Sequence, residues 1–225
     1  MLPLLLRKMT ILTKSDILKR VNSSKPLIED FQKDSLNSAS YDLHLGDEYL
    51  RGGRYDKLDV KKAQYLEIPA HDVVVVCTEE RVNIPDDLIG RFGLRFGLAM
   101  KGLVLNNEPQ IDPGYSGRLF CLLYNLTDRL VVLTYKQPFA TIEFETTIAP
   151  IAPADMYKGL YQHSAHISDA VKEVLPKSGL KELSDNLREM ENQLNRKVDR
   201  IYILFFTVIT IVITILGILF ARVWL

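Results

Sequence analysis

From residue 66 to residue 150 the chain is a series of short apolar runs: Val73–Cys77, Leu103–Leu105, Leu119–Tyr124, Leu130–Leu133 and Phe139–Phe144. Pro, Gly and Asn separate them. Strand-length runs at that spacing predict a β-sandwich or barrel. Upstream, Ser15 to Val21 reads as a short helix in which the Ser15 hydroxyl accepts a bond from the first-turn amides. Residues 38 to 49, Ser-Ala-Ser-Tyr-Asp-Leu-His-Leu-Gly-Asp-Glu-Tyr, alternate into a strand and a turn.

Past Pro153 the pattern changes period. Leu180, Leu187, Leu194 and Ile201 fall seven apart, Leu183 and Met190 occupy the intervening positions, and Lys197 breaks the series. This is a seam of about three heptads and predicts a coiled-coil stalk; one amphipathic helix packed on the domain gives the same pattern. Ile201 to Ala221 then carries no charge. At about 1.5 Å per residue it is long enough to cross roughly 30 Å of hydrocarbon. A helical hydroxyl bonds back to the preceding turn, so Thr207, Thr210 and Thr214 do not spoil the span. Tyr202 and Trp224 suit its two interfaces, and Arg196, Lys197 and Arg200 on the near side outnumber Arg222 on the far side. That asymmetry predicts a single-pass, tail-anchored protein with its N-terminal domain in the cytoplasm; a buried core helix is the competing reading. Residues 1–8 are apolar, then basic, too short for a signal sequence, and are taken as an extension ahead of Met9.

Composition narrows the chemistry. Formal net charge is zero and the charges are interspersed, so no nucleic-acid footprint is expected. Cys77 and Cys121 sit in apolar strand-like runs and read as small buried hydrophobes. Neither shares zinc-ligand spacing with His44, His71, His163 or His166, which excludes a zinc deaminase of the cytidine type and predicts no protein metal site.

The stretch Ile84-Pro85-Asp86-Asp87 through Arg91-Phe92-Gly93-Leu94-Arg95-Phe96-Gly97-Leu98-Ala99, then Ile111-Asp112-Pro113-Gly114-Tyr115-Ser116-Gly117 and Tyr124-Asn125, resembles the dCTP deaminase and dUTPase superfamily. Met9 to Ile17 and Ser38 to Tyr49 are similar to the same family, so the resemblance covers about Met9 to Tyr161. It implies a mainly β, trimeric, distorted dUTPase-like barrel (a β-clip) over 9–162, with a linker and stalk over 163–200 and a membrane helix over 201–222.

In the deaminases the nucleotide site lies between subunits, and an Arg-Ser-Ser-Leu-Ala-Arg stretch contacts phosphate. A glutamate in the strand after Asp-Pro-Gly shuttles the proton that metal-free deamination needs. Here Arg95 matches the first arginine, while Phe96, Gly97 and Met100 stand at the serines and the second arginine. The glutamate position is Leu122, which cannot transfer a proton. The dUTPase branch orients its water with an aspartate, and Asp112 and Tyr115 match that motif. Gly97 to Gly102 resembles that branch's phosphate loop with Phe96 in place of its serine, and Thr141 replaces a glutamine after Ala140.

The resemblance implies ligand contacts from Arg95, Lys101, Asp112, Tyr115 and Asn125, with Asn125 also suited to a turn. Lys158, Tyr161 and Gln162 are similar to the segment that closes over the triphosphate in deaminases. The expected function is a membrane-anchored homotrimer that binds or senses a deoxynucleoside triphosphate, with magnesium accompanying the triphosphate. The alternatives are a dUTP or dCTP pyrophosphatase using Asp112 and magnesium, and a structural membrane-tethered trimer.

Overall fold

The computed structural model describes residues 10–59, 65–106, 110–167 and 179–223. The N-terminal extension, the Leu180 side chain of the heptad series, the Ala221 and Arg222 side chains, and Trp224 lie outside the described residues. Two compact units divide the chain, Met1–Gly179 and Leu180–Leu225.

The order of elements in the larger unit begins α1 (Lys14–Val21), β1 (Ile28–Glu29), β2 (Tyr41–Arg51), β3 (Arg54–Lys57), β4 (Tyr65–Ile68) and β5 (Val73–Asn83). It continues β6 (Leu88–Leu94), α2 (Phe96–Ala99), β7 (Leu103–Leu105), β8 (Gln110–Ile111), β9 (Ser116–Asn125), β10 (Val131–Thr134) and β11 (Pro138–Thr146). Helix α1 starts one residue before Ser15, and its cap is Thr13. The Thr13 hydroxyl donates to Asp16 Oδ2 at 2.6 Å, and Asp16 in turn accepts from the Thr13 backbone. A carboxylate three residues after the cap closes this reciprocal pair, which Ser15 has no equivalent partner to form.

The strands form an antiparallel sheet in the order β7-β9-β5-β2-β11-β6-β8, with β1 added to β5 and β3 to β2; β10 and β4 make a separate pair. Strand β2 curls the sheet. Its first half pairs with β11 (Asp42↔Thr141) and its second half with β5 (Leu50↔Val75), across a register shift between Leu45 and Tyr49. Such an irregularity bends a strand and lets one sheet close over its own core. Alternation does the rest: along β9, Leu119, Cys121, Leu123 and Asn125 point inward while Phe120, Leu122 and Tyr124 face out.

A buried charge sits in that core. Glu80, fully buried, accepts from the Tyr41 hydroxyl at 3.0 Å, from the His44 backbone N–H at 2.9 Å and from His44 Nδ1. Three donors offset the cost of removing a carboxylate from water. Cys77 and Cys121 are buried free thiols, both pushed up by burial.

The smaller unit is one continuous helix, α3 (Gly179–Val223). Leu183, Leu187, Met190 and Leu194 are exposed on it, as are the apolar residues from Ile201 to Leu219. Thr207, Thr210 and Thr214 each donate their hydroxyl to the carbonyl four residues earlier, at 2.7, 2.8 and 2.7 Å. The helix is long and apolar enough to cross a membrane.

Candidate functional site

Two loops carry the residues singled out by the sequence. One is the turn between β8 and β9. Gly114 has φ +88°, and a Cβ there would lie 2.7 Å from the Met156 side chain, so both backbone and space require glycine. The turn is tied to the strand β5 exit, since Gly114 N–H donates to Ile84 O and Ile84 N–H to Tyr115 O, both at 2.8 Å. Asp112 stands exposed at its tip, one carboxylate oxygen accepting from Gln110 Nε2 at 3.1 Å.

Tyr115 is not an open aromatic face. It is buried, its hydroxyl donates to the Arg118 carbonyl, and its ring meets Tyr157 edge-on at 5.4 Å between centroids. Burial pushes its phenol up.

The other loop is Arg95–Lys101, containing the single turn α2. Arg95 N–H is fixed to Phe139 O at 3.0 Å, and its guanidinium lies 3.4 Å from Asp42 Oδ2. Asp42 also accepts from the Thr141 hydroxyl at 3.0 Å. The charge of Arg95 is therefore directed at β2. Among the described residues no ion pair joins Arg95 or Lys101 to Asp112. Phe96 and Met100 are 78% and 72% exposed, and Lys101 is exposed beside them.

Asn125 is spent inside the fold. Its amide donates to Ile68 O, Pro69 O and Arg129 O at 2.9, 3.0 and 2.7 Å, and its oxygen accepts from Thr127 N–H and hydroxyl at 3.0 and 2.7 Å. Both amide hydrogens and both lone pairs are used, so none remains for a base edge.

The segment after β11 returns to the Asp112 turn. Gln162 Nε2 donates to Gly114 O at 2.8 Å and Gln162 Oε1 accepts from Ser116 N–H at 3.1 Å. Tyr161 lies against Phe120 with centroids 6.1 Å apart, while Lys158 is exposed and donates to Ala154 O at 3.0 Å. Asp112, Tyr115 and Gln162 are thus brought together; Arg95 and Lys101 lie on a separate loop.

Leu122, at the position of the proton-shuttling glutamate, packs with Leu50, Val75, Tyr55, Phe120 and Ile167. The leucine at this position transfers no proton. Among the described residues no group of three or more His, Cys, Asp or Glu could hold a metal ion. Magnesium is commonly held by one or two carboxylates together with substrate phosphates. The exposed Asp112 therefore fits a magnesium ion that arrives with a triphosphate.

Sequence reasoning missed Asp42, Tyr157 and Ile167. Asp42 was visible within Ser-Tyr-Asp-Leu, but its partnership with Arg95 joins positions 53 apart and no periodicity reports it.

Residues 11–147 match the family described as dCTP deaminase-like. The chain is 38% identical over 141 residues to the dCTP deaminase of Pyrococcus abyssi, covering 63% of this chain and 88% of that one. It is 37% identical over 142 residues to the dCTP deaminase of Thermococcus kodakarensis, covering 63% and 88%. Its fold is similar to the crystal structure of 2'-deoxycytidine 5'-triphosphate deaminase from Agrobacterium tumefaciens, with a TM-score of 0.52 at 17% identity. That match covers 62% of this chain and spans half the length of the other. The β-rich unit is thus a dUTPase-like half-barrel followed by a long C-terminal helix.

Proposed function

The chain belongs to the dCTP deaminase-like family, and we propose that it is a membrane-anchored trimer that binds a deoxynucleoside triphosphate without deaminating it. The observation that carries the second half is Leu122 in its apolar cluster. Removing ammonia from a cytosine without a metal needs a group that gives and takes protons at the reacting carbon, and a leucine among Leu50, Val75 and Ile167 supplies none. The ligand class rests on relatives that are dCTP deaminases, on the exposed Asp112 and Lys101, and on the half-buried Arg95.

Membrane anchoring is supported by the charge-free run of α3 and by the back-bonded threonines, whose hydroxyls are satisfied within the helix. The basic residues Arg196, Lys197 and Arg200 favour a cytoplasmic domain. The exposed apolar seam of Leu183, Leu187, Met190 and Leu194 suits a parallel stalk of three chains.

A second reading, a dUTP or dCTP pyrophosphatase, is favoured by one observation: Asp112 is an exposed carboxylate at the tip of a rigid turn. Both readings are tested on the full chain in lipid nanodiscs with dCTP, dUTP and dTTP and magnesium. Binding without ammonia or pyrophosphate supports the non-catalytic reading. Pyrophosphate release that Asp112→Asn abolishes, with the trimer intact, supports the enzyme. Absence of binding leaves a structural trimer.

A further inference from the structure

Ser35, His44 and Glu80 form a series of hydroxyl, imidazole and carboxylate that the nucleotide-binding reading does not use. Ser35 ends a single 3-10 turn, Lys33–Ser35. The chain then doubles back: Leu36 bridges Tyr41, and Asn37 N–H donates to Ser40 O at 2.8 Å. This reversal lays the Ser35 hydroxyl against β2, with Oγ 3.0 Å from His44 Nε2. The other ring nitrogen, Nδ1, meets Glu80 Oε1.

Hydrogen bonding fixes the roles. Glu80 Oε1 also accepts from the Tyr41 hydroxyl at 3.0 Å, and Oε2 accepts from the His44 backbone N–H at 2.9 Å. The Tyr41 oxygen itself accepts from Gln32 N–H at 3.0 Å, which leaves its own proton for Glu80. Both carboxylate oxygens are acceptors, so the proton between His44 and Glu80 sits on Nδ1. In a neutral imidazole Nε2 is then the acceptor, and the Ser35 hydroxyl donates to it. A hydroxyl aimed at a basic nitrogen, with a buried carboxylate holding the other side of the ring, is an activated nucleophile. Ser116 shows the contrast: its hydroxyl donates to Asn83 Oδ1 at 2.6 Å, an amide oxygen that is no base. Burial grades along the series. Glu80 and His44 are buried, whereas Ser35 is half-buried on a turn whose Lys33 and Asp34 are exposed. The base is shielded from water and the nucleophile is reachable.

We propose that Ser35 is a modification site: a nucleophile that takes an acyl group from an activated acyl donor, with His44 as its base and Glu80 positioning His44. The bond from Ser35 Oγ to the acyl carbon forms as the Oγ–H bond breaks, and the proton passes to His44 Nε2. The leaving group departs with the electron pair of the bond it gave up. The imidazolium, held beside Glu80, then returns its proton to solvent. The nearest amides do not assist. Ser35 N–H donates to Gln32 O at 3.1 Å and Leu36 N–H to Lys33 O at 3.2 Å. Committed to the turn, they are not available to a developing oxyanion, where acyl-transfer catalysis gains most. The site therefore suits donors with a good leaving group. The serine ester that results has no such leaving group, so the acyl group stays on Ser35.

The test is p-nitrophenyl acetate added to the full chain in nanodiscs, with acetylation of each serine followed by peptide mass mapping. Exposed Ser38, three residues away, is the internal reference. Ser35 should be acetylated about a hundredfold faster than Ser38, the gain expected of a positioned base, and His44→Gln should bring it down to the rate of Ser38.

Because His44 is buried, Ser35→Cys gives a second reading that leaves His44 and Glu80 in place. Its thiol should be alkylated by iodoacetamide roughly tenfold faster than the thiol of Ser38→Cys, since a neighbouring imidazole favours the thiolate. Buried Cys77 and Cys121 should stay unreacted in both. Ser35 acetylated no faster than Ser38 in the parent protein overturns the proposal. So does a Ser35→Cys thiol no more reactive than that of Ser38→Cys, and the three residues are then a structural network alone.

Discussion

The turn Asp112–Gly117 and the loop Arg95–Lys101 differ in how much of the fold depends on them. The turn is bonded to Ile84, gripped by Gln162 and closed over buried Tyr115. The loop hangs on the Arg95–Asp42 pair and presents Phe96 and Met100 to solvent. Asp-Pro-Gly-Tyr at the turn therefore has a structural reason to exist whatever the chemistry. Phe96 and Met100 have none, so the residues chosen there speak about function more directly.

The largest test of this contrast lies on the anchored side. Asn125→Ala leaves the carbonyls of Ile68, Pro69 and Arg129 without their donor, and a loss of about 3 kcal/mol is expected from orphaned buried groups. Denaturant midpoints measure it; a loss below about 1 kcal/mol would mean water replaces the amide.

Leu122→Glu is next. It puts a carboxylate against Val75 and Ile167 and should cost about 2 kcal/mol in the same assay, while restoring no ammonia release, because the seat is apolar and packed by Ile167. Deamination by this single variant would show that the surrounding site is intact. Gly114→Ala, forced to φ +88° against Met156, should cost about 1–2 kcal/mol.

Acid should loosen the docking of His166 and Ile167 on Glu48. At Glu48, burial pulls the carboxyl up, but Lys57, the Ile167 N–H and His166 outweigh it and hold the group at about 2. A carboxylate held below its ordinary value of 4.5 contributes stability present above that value and lost as pH falls through about 2. Hydrogen exchange of the Ile167 amide, referenced to intrinsic rates, should rise across that window, and Glu48→Gln should remove the pH dependence. The smallest effect is on the loop: Phe96→Ser with Met100→Arg should change stability by less than about 0.5 kcal/mol. A change in triphosphate affinity in that variant is thereby free of folding effects.

These regions also differ in how legible they were. The apolar runs announced β5, β9 and β11, because alternation and turn residues are local signals. The continuation of β5 through Thr78, Glu79, Glu80 and Arg81 was hidden, since Glu80 belongs in the core only because Tyr41 and His44 donate to it from another strand. The Asp112 turn was readable from Asp-Pro-Gly. The burial of Tyr115 was not, because it depends on core neighbours distant in sequence, Tyr157 among them. The contact of Ile167 with the sheet was not legible either; one isoleucine among polar neighbours carries no period.

Binding without deamination is tested most directly by dCTP, dUTP and dTTP titrated into the full chain in nanodiscs with magnesium, with ammonia followed in the same samples. The expectation is saturable binding of a deoxynucleoside triphosphate and no ammonia from dCTP. Ammonia released in proportion to the protein would contradict it, and so would a chain that binds none of the three.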